Sequence, residues 1–255
     1  MTSSKVRLDA LLVERGLAAS RERARALVLA GQVRVNGTVV SKAGTAVAAG
    51  ADVALVQPDH PYVGRGGVKL AHALDTWALP VTGRDALDIG ASTGGFTDVL
   101  LRRGARSVIA LDVGHGQLDW RLRTDPRVVV LEGVNARALA PAALPHLVDI
   151  VTIDVSFISL RLVLPPLPAL LRPGADVIAL IKPQFEAGRD EVGRKGLVTD
   201  PAVHDRVLAE VGEAAVAAGL RRIGTTPSAI TGATGNQEFF MHFRRAADDA
   251  PDVRP

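Results

Sequence analysis

Asp154 and Lys182 are the residues of this chain best placed to do chemistry. Asp154 closes the run Asp149-Ile-Val-Thr-Ile-Asp, and Lys182 closes Val177-Ile-Ala-Leu-Ile-Lys. In a doubly wound sheet the carboxyl end of such a strand is the ligand edge. A lysine amine acts as a general base only when neutral. Burial favours that form and a carboxylate neighbour opposes it, so geometry decides. A second feature lies upstream. Ala86-Leu-Asp-Ile89 reads as a buried strand, Gly90, Gly94 and Gly95 as a tight turn, and Thr97 to Arg103 as a helix start. Together these make a nucleotide-binding corner. The spacing Asp88-x-Gly90-x-x-x-Gly94-Gly95 is neither a dinucleotide loop nor a phosphate loop, because the Lys-Ser/Thr of the latter is missing. Asp112 ends Val108-Ile-Ala-Leu-Asp, where an acid commonly accepts the two hydroxyls of an adenosine ribose. Asn135 then falls near an adenine edge, and Phe96 or Val113 against an adenine face. Lys69 and Glu238 taken alone read as surface charges.

Such residues need a frame that brings strand ends together. Strands are predicted near 86–89, 107–112, 128–132, 149–154, 176–181, 221–227 and 238–244. Helices are predicted over 68–79, 97–103, 117–123, 159–171 and 201–218. This alternation implies an α/β domain with a mostly parallel sheet, covered on both faces and joined by right-handed crossovers.

The bulk properties set limits. The chain has 255 residues, no cysteine and no long uninterrupted apolar run. Disulfides, thiol nucleophiles and cysteine metal sites are excluded, and neither a membrane span nor an apolar signal core is expected. A cytoplasmic protein fits. Residues 1–56 carry eight Lys/Arg against four acids, and the rest of the chain is nearly neutral. A basic head on a neutral body suits a polyanion partner.

The head has its own pattern. Leu8, Leu11 and Leu12 form one helical stripe, and Ser20 can cap a second helix with Ala24, Leu27 and Val28 on its apolar face. Val33-Arg-Val35 and Thr38-Val-Val40 flank Asn36-Gly37, the preferred turn of a tight hairpin. A last strand is expected over Asp52 to Val56. The expected organisation is a head at 1–57, a linker at 58–64, a main domain at 65–246 and a disordered tail at 247–255.

Several of these segments resemble known families. The turn Asp88-Ile-Gly90-Ala91-Ser92-Thr-Gly94-Gly95-Phe96 resembles the first motif of S-adenosylmethionine-dependent methyltransferases. The head, through Arg7-Leu8-Asp9, Gly16-Leu17, Ser20-Arg21 and Gly31-x-Val33-x-Val35-Asn36-Gly37, resembles the S4-type RNA-binding domain. Lys69, Asp154, Lys182 and Glu238 match in order the Lys-Asp-Lys-Glu tetrad of FtsJ/RrmJ-type ribose 2′-O-methyltransferases. With Arg65-Gly-Gly-Val-Lys69, Asp154-Val-Ser-Phe-Ile-Ser-Leu160 and Lys182-Pro-Gln-Phe-Glu186, the chain resembles the TlyA family over residues 5 to 245. It departs at His115, where the best-known members carry tyrosine.

The resemblance implies a Rossmann-like, seven-stranded class I methyltransferase domain behind a small α+β S4-type domain. It also implies cytidine 2′-O-methylation of 16S or 23S ribosomal RNA, in the context of ribosomal subunits. S-adenosylmethionine would become S-adenosylhomocysteine with no metal, no membrane and no protein partner. Lys182 would be the base, Asp154 would hold it near the sulfonium, and Lys69 and Glu238 would orient the ribose. Asp88, Gly90, Ala91, Ser92, Gly94, Gly95, Phe96, Asp112, Val113, Asn135 and Asp154 would surround the cofactor. Arg7, Arg15, Arg21, Arg23, Arg25, Arg65, Arg189 and Lys195 would contact RNA. Neighbouring chemistries fit less well. Cytosine C5 methylation usually needs a cysteine, and exocyclic amine methylation typically uses Asp/Asn-Pro-Pro-aromatic where this chain reads Asp154-Val-Ser-Phe157. The hemolysin label attached to such proteins suggests a membrane-active agent, and no sequence feature supports it. A non-catalytic RNA-binding factor conflicts with the intact tetrad. An S4-headed pseudouridine synthase would need a catalytic aspartate loop that has no match.

Overall fold

Two short helices, each with one apolar face, build the N-terminal part of the chain. The computed structural model describes residues 5–56 and 60–247, and these form two compact units that divide between Pro61 and Tyr62. Residues 58 and 59 of the expected linker, and the expected tail from 248 onward, lie outside the described residues. In the first unit β1 (Lys5–Arg7) runs into α1 (Leu8–Glu14), and α2 (Arg21–Leu29) follows. Ser20 accepts the Arg23 backbone N–H at 3.1 Å and caps α2. Leu8, Leu11, Leu12, Ala24, Leu27 and Val28 are buried together, as their spacing predicts. Then come β2 (Val33–Val35), β3 (Thr38–Val39), β4 (Ala46–Ala48) and β5 (Val53–Leu55). Asn36 and Gly37 both have positive φ (50° and 80°), which matches the twist of the β2–β3 hairpin. Pairing of β1 with β4 adds a second small sheet that the sequence pattern did not predict.

The second unit begins with α3 (Gly66–Thr76) and continues through β6 (Asp85–Ile89), α4 (Gly95–Arg102), β7 (Ser107–Asp112), α5 (Trp120–Arg123) and β8 (Val128–Glu132). After β9 (Val148–Ile153) and β10 (Leu171–Ile181) come α6 (Pro183–Glu186), α7 (Pro201–Ala217), β11 (Leu220–Pro227) and β12 (Phe239–Arg245). The sheet has seven strands in the order β11-β12-β10-β9-β6-β7-β8. The five from β10 to β8 are parallel, and β12 is antiparallel to both neighbours. All five residues of β6 are buried, as expected for a strand covered on both faces.

The structure corrects two expectations. No helix spans 159–171. Two short 3₁₀ turns, Leu160–Leu162 and Leu167–Leu170, stand there instead. Pro165, Pro166 and Pro168 lack the N–H groups that an α-helix needs, and their rings clash with the preceding turn. The helix expected over 117–123 is only the single turn α5.

The amino-terminal edge of the parallel strands carries an ionic lattice. Asp85 accepts from Ser107 Oγ at 2.8 Å, from Arg172 at 3.0 Å and from Arg106. The Arg106 guanidinium, with these partners, holds the Asp85 carboxyl well below the usual carboxylate range. Asp176 meets His242 Nε2, Arg244 Nε and Arg84 Nη1, each at 2.8 Å. Burial pushes Asp176 up, but these three partners outweigh it and hold the carboxyl at about 2.

Candidate active site

The strand order brings the sequence-predicted residues to one edge of the sheet. β6 and β9 are neighbours although α4, β7, α5 and β8 separate them in the chain, so this is the switch point where a crevice opens. Asp154 donates its backbone N–H to Ile89 at 2.9 Å, directly beside Gly90. Gly90 has φ +83°, and a Cβ there would collide with the Asp154 carbonyl. The two loops therefore pack backbone to backbone, which a side chain would forbid.

Beneath this contact Asp88 is fully buried. Its oxygens accept from Thr97 Oγ1 at 2.7 Å and Thr152 Oγ1 at 3.0 Å. Burial drives its carboxyl up to about 7, against the opposing pull of both threonines. Asp88 thus braces the strand against α4, and it does not line the cleft as the sequence suggested. Gly94 likewise faces Leu118 and Leu122.

Two adjoining clefts open at the edge. The larger, about 480 Å³, is lined by Gly90, Ser92, Asp112, Val113, Asn135 and Asp154, with Phe157 at its rim. Asp112 already accepts the backbone N–H groups of Ser92 at 2.8 Å and Gly114 at 2.7 Å, which fixes its carboxylate at the end of β7. Asn135 caps the turn after β8 by accepting from Arg137 N at 3.0 Å. The smaller cleft, about 270 Å³, is lined by Gly66, Ala91, Gly95, Phe96, Ser156 and Lys182 among others. Phe96 therefore belongs to this second cleft, packed 6.1 Å from Phe240, and not beside Asp112. A Cβ on Gly66 would lie 3.4 Å from Phe96 and 3.6 Å from an Asp154 oxygen, so α3 approaches closely here.

The charged residues form two pairs. Lys182 Nζ lies 2.6 Å from Asp154 Oδ1 and donates to Ser156 Oγ at 2.9 Å. Lys69 Nζ donates to Glu238 Oε2 at 2.5 Å, and both side chains are nearly excluded from solvent. Ile181 pairs with Phe239, so Lys182 and Glu238 extend adjacent strands by one residue at the same edge.

Ser156 and Glu186 stand inside the motifs Asp154–Leu160 and Lys182–Glu186, but no sequence spacing marks either as functional. Glu186 accepts from Ser159 Oγ at 2.5 Å and Leu160 N at 2.7 Å, clasping the loop after β9 to the segment after β10. Burial pushes its carboxyl up, against those hydrogen bonds. Phe157 is 91 % exposed, has φ +63° and packs with its ring 4.9 Å from that of Phe185, the two planes tilted by 50°.

The basic candidates are more scattered. Arg7, Arg21 and Arg25 gather on Asp9. Arg15 donates to the carbonyls of Ala49 and Ala51, and Arg23 to that of His60. Arg65 donates to Thr231 O at 3.2 Å, while Arg189 and Lys195 are exposed on the loop after α6. Among the described residues no helix is long and apolar enough to cross a membrane.

Comparison with known proteins shows which family has this domain organisation. The FtsJ-like methyltransferase family model matches residues 62–245, and the S4 domain model matches residues 6–53. The class is therefore an S4-headed methyltransferase of the FtsJ type. A Mycobacterium tuberculosis protein named 16S/23S rRNA (cytidine-2'-O)-methyltransferase TlyA is 47% identical over 96% of this chain and 92% of its own. Hemolysin A of Brachyspira hyodysenteriae is 38% identical over 93% of this chain and 99% of its own. A Streptococcus thermophilus structure described as a hemolysin is 43% identical, with a TM-score of 0.76 over 99% of this chain and 92% of that one. The chain belongs to the TlyA family.

Proposed function

We propose that the protein transfers a methyl group from S-adenosylmethionine to the ribose 2′-hydroxyl of a cytidine in ribosomal RNA. The observation that carries this reading is the position of Lys182. Its ammonium stands at the smaller cleft, between Asp154 and Ser156, beside a larger cleft that presents Asp112. The larger cleft suits an adenosine, with the Asp112 carboxylate oriented by two backbone N–H groups toward ribose hydroxyls. When bound, S-adenosylmethionine supplies an electrophilic methyl group on a sulfonium.

In this reading Lys182 first releases a proton to solvent and then, as the neutral amine, takes the proton of the 2′-hydroxyl while the ribose oxygen bonds to the methyl carbon. The carbon–sulfur electron pair stays on sulfur, leaving S-adenosylhomocysteine. Asp154 holds Lys182 and favours positive charge nearby, and the Lys69–Glu238 pair orients the ribose. The site works through alignment and desolvation, and the reaction as written uses no metal. RNA reaches it through contacts of the basic head and of Arg65, Arg189 and Lys195. In this reading the protein acts on ribosomal subunits in the cytoplasm, with no membrane and no protein partner beyond the subunit itself.

The test is tritium transfer from labelled S-adenosylmethionine to separated 30S and 50S subunits, followed by mapping of ribose methylation. Label on a cytidine 2′-oxygen is expected. No transfer to either subunit or to free ribosomal RNA would refute the proposal.

A further inference from the structure

In the first unit, one buried carboxylate organises three arginines. Asp9 sits in the first turn of α1 and is fully excluded from solvent. Arg7, at the end of β1, grips it with a fork: Nε to Oδ1 at 3.0 Å and Nη2 to Oδ2 at 2.9 Å. Arg25 adds Nε to Oδ2 at 3.2 Å, and Arg21 Nη2 stands 3.4 Å from both oxygens. Arg21 and Arg25 are four residues apart on α2, so they share a helix face. Gly44 leaves room for the Arg7 guanidinium, since a Cβ there would stand 3.3 Å from Arg7 Nη2.

Compensating one buried carboxylate needs only one forked arginine. Three cations on a single anion leave two positive charges in excess and crowd like charges together. All three arginine side chains remain about half exposed, at 52–55%. Each guanidinium has five N–H donors in a rigid plane, and Asp9 takes a minority of them. The excess charge and the unspent donors suit an oxyanion of tetrahedral or forked geometry, which for this unit is a backbone phosphate of RNA.

We propose that Asp9 is a positioning residue for RNA, holding Arg7, Arg21 and Arg25 as a preformed phosphate-binding cluster. The inference rests on the reading of the head as an RNA-binding module. It makes a prediction opposite in sign to simple charge counting. Removing an acid makes the head more basic, so diffuse electrostatics requires tighter RNA binding. A preformed cluster requires weaker binding, because the guanidinium groups lose their template and must be ordered when RNA binds.

The experiment measures binding of full-length protein to ribosomal RNA across a salt series. It compares wild type, Asp9→Asn, Arg7→Lys and the triple variant Arg7→Gln/Arg21→Gln/Arg25→Gln, with thermal melts as a folding control. Asp9→Asn is expected to bind roughly 5- to 10-fold more weakly, with a shallower dependence of log affinity on log salt. Arg7→Lys keeps the charge but cannot form the fork, so it is expected to weaken binding too; it carries the test if Asp9→Asn fails to fold. Binding by folded Asp9→Asn or by Arg7→Lys that equals or exceeds wild type overturns the proposal. If the triple variant also binds like wild type, the RNA reading of the cluster falls with it. If only the triple variant loses affinity, the arginines bind RNA without Asp9 as template. Competition by inorganic phosphate at millimolar concentration, with no preference for RNA, would mark a free-anion site and likewise overturn it.

Discussion

Lys182 Nζ lies 2.6 Å from Asp154 Oδ1, yet that oxygen has no aligned hydrogen bond. The directional bond of the ammonium goes instead to Ser156 Oγ at 2.9 Å. Attraction to Asp154 holds the nitrogen in place, and Ser156 sets its rotation. Replacing Lys182 with Ala is expected to leave S-adenosylmethionine affinity within about threefold and to lower methyl transfer by 100-fold or more, the scale of general-base catalysis. Calorimetric titration of the cofactor and single-turnover transfer measure the two separately. Wild-type turnover by the variant would remove Lys182 from this role.

Ser156→Ala tests the rotation alone. Loss of one hydrogen bond to a charged group is worth about 1.5–3 kcal/mol, so turnover should fall roughly 10- to 100-fold with little change in RNA affinity. Ser156→Thr, which keeps the hydroxyl, should recover part of that loss. Equal rates for the Ala variant and wild type would show that Asp154 alone positions the lysine.

The Lys69–Glu238 pair predicts an asymmetry in stability. Glu238→Ala leaves a buried ammonium without its partner and should cost about 3–5 kcal/mol. Replacing both residues together with Met and Leu removes the stranded charge and should cost less. Chemical denaturation of the two variants decides this, and a double variant less stable than Glu238→Ala would contradict it.

Asp88 gives a pH prediction. Burial raises its carboxyl to about 7, well above an ordinary aspartate. The folded state thus holds the proton more tightly than the unfolded chain. Its contribution is fully present below the ordinary carboxylate range and is lost as pH rises toward 7. Asp88→Asn cannot ionise and should keep both threonine contacts, so it should gain roughly 2–4 kcal/mol relative to wild type between pH 4 and 8. Thermal melts across that range test it. Parallel profiles for the two proteins would show that Asp88 is not the group responsible.

Gly90→Ala forces a Cβ into the Asp154 carbonyl at a φ of +83°. Strain of this kind costs on the order of 1–3 kcal/mol, and moving the loop should also abolish measurable cofactor binding. Unchanged affinity would mean that the loops separate freely.

Much of the site was legible because charges that end apolar strands have few places to go. Asp112, Asp154 and Lys182 all stand where strand ends predicted. Asp88 misled because only three dimensions show its side chain turned inward to Thr97 and Thr152. Ser156 and Glu186 were opaque for a different reason. Their partners lie 26 and 27 residues away, and no periodicity links them. The proline-broken stretch after Ser159 shows apolar spacing overruled by the missing N–H groups of Pro165, Pro166 and Pro168. The β1–β4 pair escaped notice because three-residue strands carry almost no pattern.

The ionic lattice of Asp85 and Asp176 stands at the opposite end of the strands from Lys182. Anchorage and reactivity are thus divided between the two rims of one sheet. Among the described residues, none of the hydrogen bonds given for Asp85 and Asp176 reaches Asp154, Lys182 or Ser156, so damage to one rim should leave the other's properties intact. Substitutions at the two ends should then combine as independent increments. A chain built this way can tolerate drift in its foundations while its reactive rim stays under separate constraint, and the reverse holds equally.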